Sequence, residues 1–298
     1  MSLIMIGELS ALLTAVFWAV TALSFEKASR AFGSFFVNVI RLIIANILLF
    51  TTIWLFNLDF VISSEQQSYL IFSGIVGLVI GDGFLFKAFQ TIGAGISMII
   101  MSLAPVFASI LALWYLNEQL LPLDVVGITV TIAGIIIVVL EKNSNYVSRR
   151  THLWLGISAA LIGAIGQAVG LVLAKLAFQT GYINGFVATV YRIAAASVLM
   201  LPVFIFLYRK RKPLDMIKNN KPGFRYLLVG GFFGPYLGIT ASLVAITYAD
   251  VGVASTIMAT VPIVILPISY FWFKEKITLR TFIGAVLAVV GVGILFSG

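Results

Sequence analysis

The sequence predicts an all-α polytopic membrane protein with ten transmembrane helices, arranged as two inverted five-helix repeats. Of the 298 residues, 61% are hydrophobic and only 10% are charged, whereas a soluble domain carries about 25% charged residues. The apolar residues form runs of about 20 residues, the length that crosses a bilayer as a helix. These runs are too long for membrane strands and do not alternate, so the spans are predicted to be helical.

The predicted spans fall into two groups of five, separated by a polar stretch from Glu141 to Arg150. Residues 1–141 and 142–298 are therefore predicted to be the two repeats. The first five spans are expected near 6–28, 34–56, 68–89, 95–116 and 122–140. The second five are expected near 152–177, 185–208, 226–247, 252–273 and 279–296.

An internal repeat is visible when the second half is shifted over the first by 157 residues. The coincident pairs are Gly74 and Gly231, Gly77 and Gly234, Gly81 and Gly238, Gly95 and Gly252, Met101 and Met258, Pro105 and Pro262, Glu118 and Glu275, Gly127 and Gly284, and Gly134 and Gly291. Slightly smaller shifts place Trp18 on Gln167 and Arg41 on Arg192. Because each repeat has an odd number of spans, the second is expected to lie upside down, a plan that recurs in secondary transporters.

The basic residues predict which way the chain crosses the membrane. All but four of the 19 Lys and Arg residues lie on the side opposite the two termini, and the densest group runs from Arg209 to Arg225. The loops on the side of the termini carry acids instead, such as Asp59 and Glu65. The positive-inside rule then places the termini outside the cytoplasm, in a multi-pass protein of the cytoplasmic membrane. The net charge of +8 is accordingly assigned to cytoplasmic loops, and no nucleic-acid partner is predicted.

The sequence lacks the residues that several kinds of site would need. The chain has no Cys and a single His, His152, so thiolate or His-cluster metal sites are excluded and no cofactor is predicted. No G-x-x-x-x-G-K-[ST] motif for ATP binding occurs. An intramembrane enzyme would need a nucleophile with its base, or a metal, within the membrane, and this hypothesis is the least favoured.

Two prolines are candidate kink or gating positions. Pro105 and Pro262 lie near the middle of the fourth and ninth predicted spans. A proline inside a helix removes the hydrogen bond to the carbonyl four residues earlier, and here those carbonyls belong to Met101 and Met258. The two methionines, with Met98 and Ser255 nearby, are predicted to line a substrate cavity; the alternative is that each proline only bends its helix for packing.

A third group of candidates is charged or polar within the predicted spans. Asp82 is the one acid deep inside a span, where a charge is costly unless it has a partner. It is expected either to bind a coupling proton or a cationic group, or to form a structural pair with Arg41. Arg192 is expected either to anchor an anionic substrate or to bond backbone carbonyls.

Aromatic and polar side chains at helical spacing complete the predicted substrate site. These residues are Trp18 and Thr21 in the first span, Gln167 in the sixth, and Tyr236 and Thr240 in the eighth. A lining of this kind would suit a small zwitterionic or aromatic solute. The alternative is that the aromatic residues serve only for packing.

The two repeats resemble the EamA branch of the drug/metabolite transporter superfamily. The residues that carry the similarity are Pro105-Val106-Phe107 through Asn117-Glu118-Gln119-Leu120, Pro262-Ile263-Val264 through Lys274-Glu275-Lys276-Ile277-Thr278, and Trp18 with Arg41. The resemblance implies a ten-helix fold with a central cavity, in which the fifth and tenth helices are peripheral. Members of the family commonly have cytoplasmic termini, whereas the charge pattern of this chain predicts the opposite orientation.

The leading functional prediction is a secondary transporter of small organic metabolites, amino acids or related compounds, acting in export. A proton is the candidate coupling ion, and alternating access around a cavity at the membrane midplane is the expected mechanism. The alternative is a translocator of lipids or lipid-linked intermediates on the same fold.

Overall fold

The computed structural model describes residues 3–115, 122–145, 150–210, 212–248, 254, 257–273 and 277–295. All the regular secondary structure of these residues is helical, which confirms the all-α prediction. A membrane-spanning chain favours helices because they satisfy every backbone N–H and C=O group within the segment.

The described residues give the bounds of twelve helices, α1 to α12 in chain order. The first half contains α1 (Leu3–Phe32), α2 (Ser34–Leu55), α3 (Ser64–Ile92), α4 (Ala94–Met101), α5 (Ala104–Tyr115) and α6 (Pro122–Asn145). The second half contains α7 (Arg150–Gln179), α8 (Gly185–Tyr208), α9 (Pro213–Asn219), α10 (Lys221–Tyr248), α11 (Val261–Phe273) and α12 (Leu279–Leu295).

Six of the described helices are long and apolar enough to cross a bilayer: α1, α2, α3, α7, α8 and α10. Shorter apolar helical segments occur at Ala94–Ala108, which spans α4 and the first turn of α5, and at Val125–Val138 and Leu279–Ile294. The chain is therefore a multi-pass membrane protein, and the count of ten spans stays a prediction.

Local sequence determines where several helices begin. At the start of α3, the Ser63 hydroxyl accepts a hydrogen bond from the Gln66 backbone N–H at 3.2 Å, and the Gln66 side chain accepts one from the Ser63 N–H at 3.0 Å. This reciprocal pair is a capping box, which satisfies two N–H groups that the first helical turn leaves free. Gly33 and Gly93 have φ angles of 90° and 84°, which glycine adopts without steric cost, so the chain reverses sharply between α1 and α2 and between α3 and α4.

Helices of the first half pack against helices of the second half. α1 packs against α10, α7 packs against α3, α2 against α8, and α6 against α12. Small residues permit the close approach of α6 and α12: a Cβ atom on Gly134 would lie 2.6 Å from the Ala288 nitrogen. The hydrophobic core is thus shared between the halves rather than divided into two separate cores.

One buried acid connects the end of α1 to the start of α4. Glu26 is 2% exposed and accepts a hydrogen bond from the Ala94 N–H at 2.7 Å. Its other oxygen lies 2.7 Å from the Arg30 guanidinium. A carboxylate at a helix N-terminus is favourable because it meets free N–H groups and the positive end of the helix dipole, so Glu26 holds α4 in place beside α1.

Candidate functional site

A cavity of about 180 Å³ lies between the two halves. Residues of α1 to α5 line it from the first half, and residues of α7, α8, α10 and α11 line it from the second. Of the residues predicted for the site, the structure brings together Trp18, Thr21, Arg41, Asp82, Met98, Met101, Pro105, Gln167, Met258 and Pro262. Residues that are distant in the sequence thus meet in one place.

Two of the predicted site residues lie elsewhere. The Tyr236 hydroxyl is 2.9 Å from the Thr52 hydroxyl of α2, and its ring contacts Phe186 of α8. The Thr240 hydroxyl donates to the Tyr236 carbonyl oxygen at 2.6 Å and lies against Thr189 of α8. This face of α10 therefore packs on α2 and α8 rather than lining the cavity. Ser255 lies outside the described residues.

The two prolines mark breaks between helices rather than kinks within one helix. α4 ends at Met101 and α5 begins at Ala104, so Pro105 is the second residue of a new helix, a position where its missing N–H costs nothing. Between them, the N–H groups of Ser102 and Leu103 bond carbonyls three residues earlier, at 3.1 and 3.0 Å. The predicted disruption is thus present, but it divides the span into two helices.

The second half contains a matching break. α11 begins at Val261, which makes Pro262 its second residue, and the Thr260 N–H bonds the Ile257 carbonyl at 3.1 Å. Met101 and Pro105 of the first half and Met258 and Pro262 of the second half all line the cavity. Both breaks therefore face the same space.

Each half also contains a π-helical segment beside the cavity. Ile75–Gly81 of α3 and Phe232–Gly238 of α10 are seven residues each, and they coincide under the 157-residue shift. In α3 the Asp82 N–H bonds the Gly77 carbonyl, five residues earlier, so it does not take the Leu78 carbonyl that an α-helix would use. The Asn38 side chain of α2 donates to that Leu78 carbonyl at 3.0 Å. π-Segments of this kind occur frequently at functional sites.

A buried charge cluster lies next to the π-segment of α3. The Arg41 guanidinium is 2.5 Å from one Asp82 oxygen, and the Gln167 amide donates to the other Asp82 oxygen at 2.5 Å. The same amide group also donates to the Gly77 carbonyl at 3.1 Å. Arg41 and Asp82 are 3% and 7% exposed, so the cluster links α2, α3 and α7 away from bulk water.

Additional groups orient Arg41. Its Nε atom donates to the Asn38 amide oxygen at 2.9 Å. Its guanidinium carbon lies 4.7 Å from the centre of the Phe86 ring and 5.8 Å from that of Phe25, distances at which a cation is attracted to an aromatic face. Asn38 was not predicted from the sequence, although a polar residue three positions before Arg41 lies on the same helical face.

Arg192 occupies the corresponding position in the second half but has different surroundings. It is 5% exposed, lines the cavity, and its Nε atom is buried without a hydrogen-bond partner among the described residues. Under the 157-residue shift the position of Asp82 is taken by Ile239, which also lines the cavity. The second half therefore has the cation of the first half without its acid.

Glycines bring α3 and α7 together beside the cavity. A Cβ atom on Gly166 would lie 2.7 Å from the Gly81 Cα, and one on Gly170 would lie 3.0 Å from the Gly77 Cα. The Ser73 hydroxyl donates to the Gly170 carbonyl at 2.5 Å. Such close backbone contact is typical of small residues in membrane helices, and it is what allows Gln167 to reach Asp82.

The chain is similar in sequence to proteins named as transporters. A protein from Archaeoglobus fulgidus, named an uncharacterized transporter, is 23% identical over 283 residues, which cover 95% of this chain and 96% of that protein. A transporter of the same description from Buchnera aphidicola is 31% identical over 116 residues, 39% of this chain and 36% of that protein. A solved crystal structure with 16% sequence identity has the same fold, with a TM-score of 0.69 over 97% of this chain and 95% of that one.

The family model that matches is that of the EamA-like transporter family, and it matches twice, over residues 5–140 and 154–297. The two matches together cover nearly the whole chain, with one match in each half. The chain therefore belongs to the EamA-like transporter family.

Proposed function

We propose that this protein is a secondary transporter that exports small organic metabolites, amino acids or related compounds, across the cytoplasmic membrane. In this proposal the solute binds in the cavity between the two halves, and the halves alternate in exposing the cavity to either side. The observation that carries the proposal is the matched pair of helix breaks, at Ser102–Leu103 and Ala259–Thr260, both beside one cavity.

The breaks provide positions at which the halves can move. In a continuous helix, movement on one side of the membrane would be transmitted to the other through the backbone hydrogen bonds. At a break, a few residues can absorb changes in φ and ψ while the helices on either side stay rigid. If the repeats are inverted, as proposed, two such breaks allow the same movement on opposite sides of the membrane.

The lining supports a small amphipathic solute. Phe25, Phe86 and Phe89 contribute aromatic surface, and Met98 and Met101 contribute flexible apolar side chains. Methionine adapts to ligands of different shapes because its side chain is unbranched and polarizable. Asp82 is the one acid among the described lining residues, so a coupling proton that enters the cavity would act through it.

The test is solute counterflow in proteoliposomes with the methionines replaced one at a time. Met101→Trp and Met258→Trp should fill the cavity and abolish counterflow of the amino acids that the wild type carries, while the protein still folds. Val198→Trp is the matched control, because Val198 is 74% exposed on the outer face of α8. Normal counterflow in both cavity variants would contradict the proposal.

The proposed orientation, with both termini outside the cytoplasm, has a separate test. The chain has no Cys, so single cysteines can be introduced and labelled individually. Ser64 at the start of α3 and Asn219 at the end of α9 are both exposed and lie on opposite sides in the proposed topology. In intact cells Ser64→Cys should react with an impermeant thiol reagent and Asn219→Cys should not; the reverse pattern would contradict the orientation.

A further inference from the structure

Arg192 is a buried cation whose Nε–H has no hydrogen-bond partner among the described residues. Its side chain lines the cavity, and the residue is only 5% exposed. A guanidinium has five N–H donors and no other protonation state in a protein. Such a group within a membrane is costly unless something pairs with it.

Both oxygens of the nearby acid, Asp82, are already hydrogen-bonded to other residues. Asp82 attracts Arg192 electrostatically, but its two oxygens accept hydrogen bonds from Arg41 and Gln167. Two guanidinium groups and one carboxylate therefore share the cavity lining. Among the described lining residues the positive charges therefore outnumber the negative charges by one, and the surplus charge is that of Arg192.

A second unsatisfied polar group lines the same cavity. The Thr21 hydroxyl on α1 is buried and has no hydrogen-bond partner among the described residues. A hydroxyl can donate to an anion as readily as it accepts from a cation. Buried polar atoms are nearly always satisfied in native proteins, so two unsatisfied donors in one cavity indicate a ligand that accepts hydrogen bonds.

We propose that Arg192 is the anion anchor of the cavity and that the transported solute carries a carboxylate on an apolar body. This inference rests on the proposed transport function and narrows its substrate class. A single carboxylate matches the one surplus positive charge, and a guanidinium binds it through two parallel hydrogen bonds. The apolar side chains of Phe89, Met98 and Met258 line the rest of the space and would contact the body of the solute.

Glycine in the π-segment leaves room for this arrangement. A Cβ atom on Gly77 would lie 3.4 Å from the Nη2 atom of Arg192. The backbone of α3 therefore lies close to the guanidinium of Arg192, which also lines the cavity. The Gly77 carbonyl also accepts a hydrogen bond from the Gln167 amide, so the same residue contacts both sides of the charged region.

The experiment measures binding in nanodiscs of phosphatidylcholine, with three monoanions and their neutral isosteres as probes. The pairs are 3-phenylpropionate, hexanoate and N-acetylphenylalanine, each with its primary amide. The wild type should bind at least one carboxylate roughly tenfold to a hundredfold more tightly than its amide, the range expected for hydrogen bonds to a charged group. Equal binding within all three pairs, or no binding of any carboxylate, would overturn the proposal.

Variants assign the preference to Arg192. Arg192→Gln should lose the carboxylate preference, Arg192→Lys should keep part of it, and Arg225→Gln, at an exposed site on α10, should behave as the wild type. A preference that survives in Arg192→Gln overturns the assignment. If Arg192→Gln does not fold, Arg192→Lys decides, because an unchanged preference in that variant would show that the guanidinium geometry is not used.

Two further measurements separate this inference from its alternatives. Binding of the carboxylate should be unchanged in nanodiscs that contain phosphatidylglycerol; competition there would show that Arg192 holds a lipid headgroup and would overturn the solute assignment. Counterflow is measured on the same preparations. Binding without counterflow contradicts the transport function alone, whereas counterflow of the amides as fast as the acids contradicts the anion anchor alone.

Discussion

The two arginines of the cavity differ in how completely the protein satisfies them. Arg41 of α2 has an acid at 2.5 Å, an amide oxygen at 2.9 Å and an aromatic ring at 4.7 Å. Arg192 of α8 occupies the equivalent place in the other half, and its Nε atom has no hydrogen-bond partner among the described residues. The repeat thus places two like residues in unlike surroundings.

This difference indicates that the two arginines have different roles. A buried ion pair with all its hydrogen bonds satisfied holds neighbouring helices in a fixed arrangement, and breaking it is costly. A buried cation without such bonds contributes little to that arrangement and is available to a ligand. Arg41 therefore belongs to the structural cluster, to which Gln167 of the second half also contributes, and in our proposal Arg192 is the group that binds the ligand.

The largest expected effect is the loss of stability when the buried Arg41–Asp82 pair is broken. Asp82→Asn would leave Arg41 as an uncompensated buried charge, and we expect the free energy of unfolding to fall by about 3–5 kcal/mol. Thermal unfolding of the purified protein measures this, with Asp59→Asn at an exposed site as the control. A stable Asp82→Asn protein that still exchanges solute but no longer accumulates it against a proton gradient would instead identify Asp82 as the proton carrier.

The next largest effect concerns the glycines that support the two arginine helices. A Cβ atom on Gly74 would overlap the backbone carbonyl oxygen of Arg192, whereas one on its repeat mate Gly231 would lie 3.3 Å from the Ile44 side chain. A side chain can move aside and a helix backbone cannot. Gly74→Ala should therefore cost about 3 kcal/mol, and Gly231→Ala about 1 kcal/mol or less.

Melting temperatures of the two alanine variants, measured side by side, make this a matched test. The substitutions are identical and the positions coincide under the repeat. Equal losses of stability would show that the contact between α3 and α8 is no tighter than the one between α10 and α2. That result would remove one of the differences between the halves.

The smallest expected change in stability comes from giving the second half an acid equivalent to Asp82. Ile239→Asp places an acid at the position equivalent to Asp82, where it can pair with Arg192. We expect the free energy of unfolding to change by about 1 kcal/mol or less, because the cost of burying the new charge is offset by the new pair. Binding of 3-phenylpropionate should be lost, and retained binding would contradict the role of Arg192.

Composition and prolines made much of this architecture predictable. A chain so rich in apolar residues can satisfy its backbone in a bilayer only as helices, and the helical class is confirmed by the structure. Pro105 and Pro262 showed where helical hydrogen bonds must fail, because proline has no N–H. The prediction of a kink differs from the observed break because proline is most easily accommodated in the first turn of a new helix.

Other features could not be read from the sequence. Whether residues 75–81 form α- or π-helix depends on which group takes the Leu78 carbonyl, and that group is Asn38 on another helix. Tyr236 and Thr240 were expected at the cavity from their shared face. A span that is apolar on every side does not reveal which face is turned toward a cavity and which packs on α2 and α8.

The unequal roles of the two arginines are tested most directly by comparing the thermal unfolding of Arg41→Gln and Arg192→Gln, with and without 3-phenylpropionate. Without ligand, Arg41→Gln should melt well below the wild type because Asp82 loses its partner, and Arg192→Gln should melt at or above it. The ligand should raise the melting temperature of the wild type and leave that of Arg192→Gln unchanged. An Arg192→Gln protein that is destabilised as much as Arg41→Gln would show that both arginines are structural and would contradict the division between the halves.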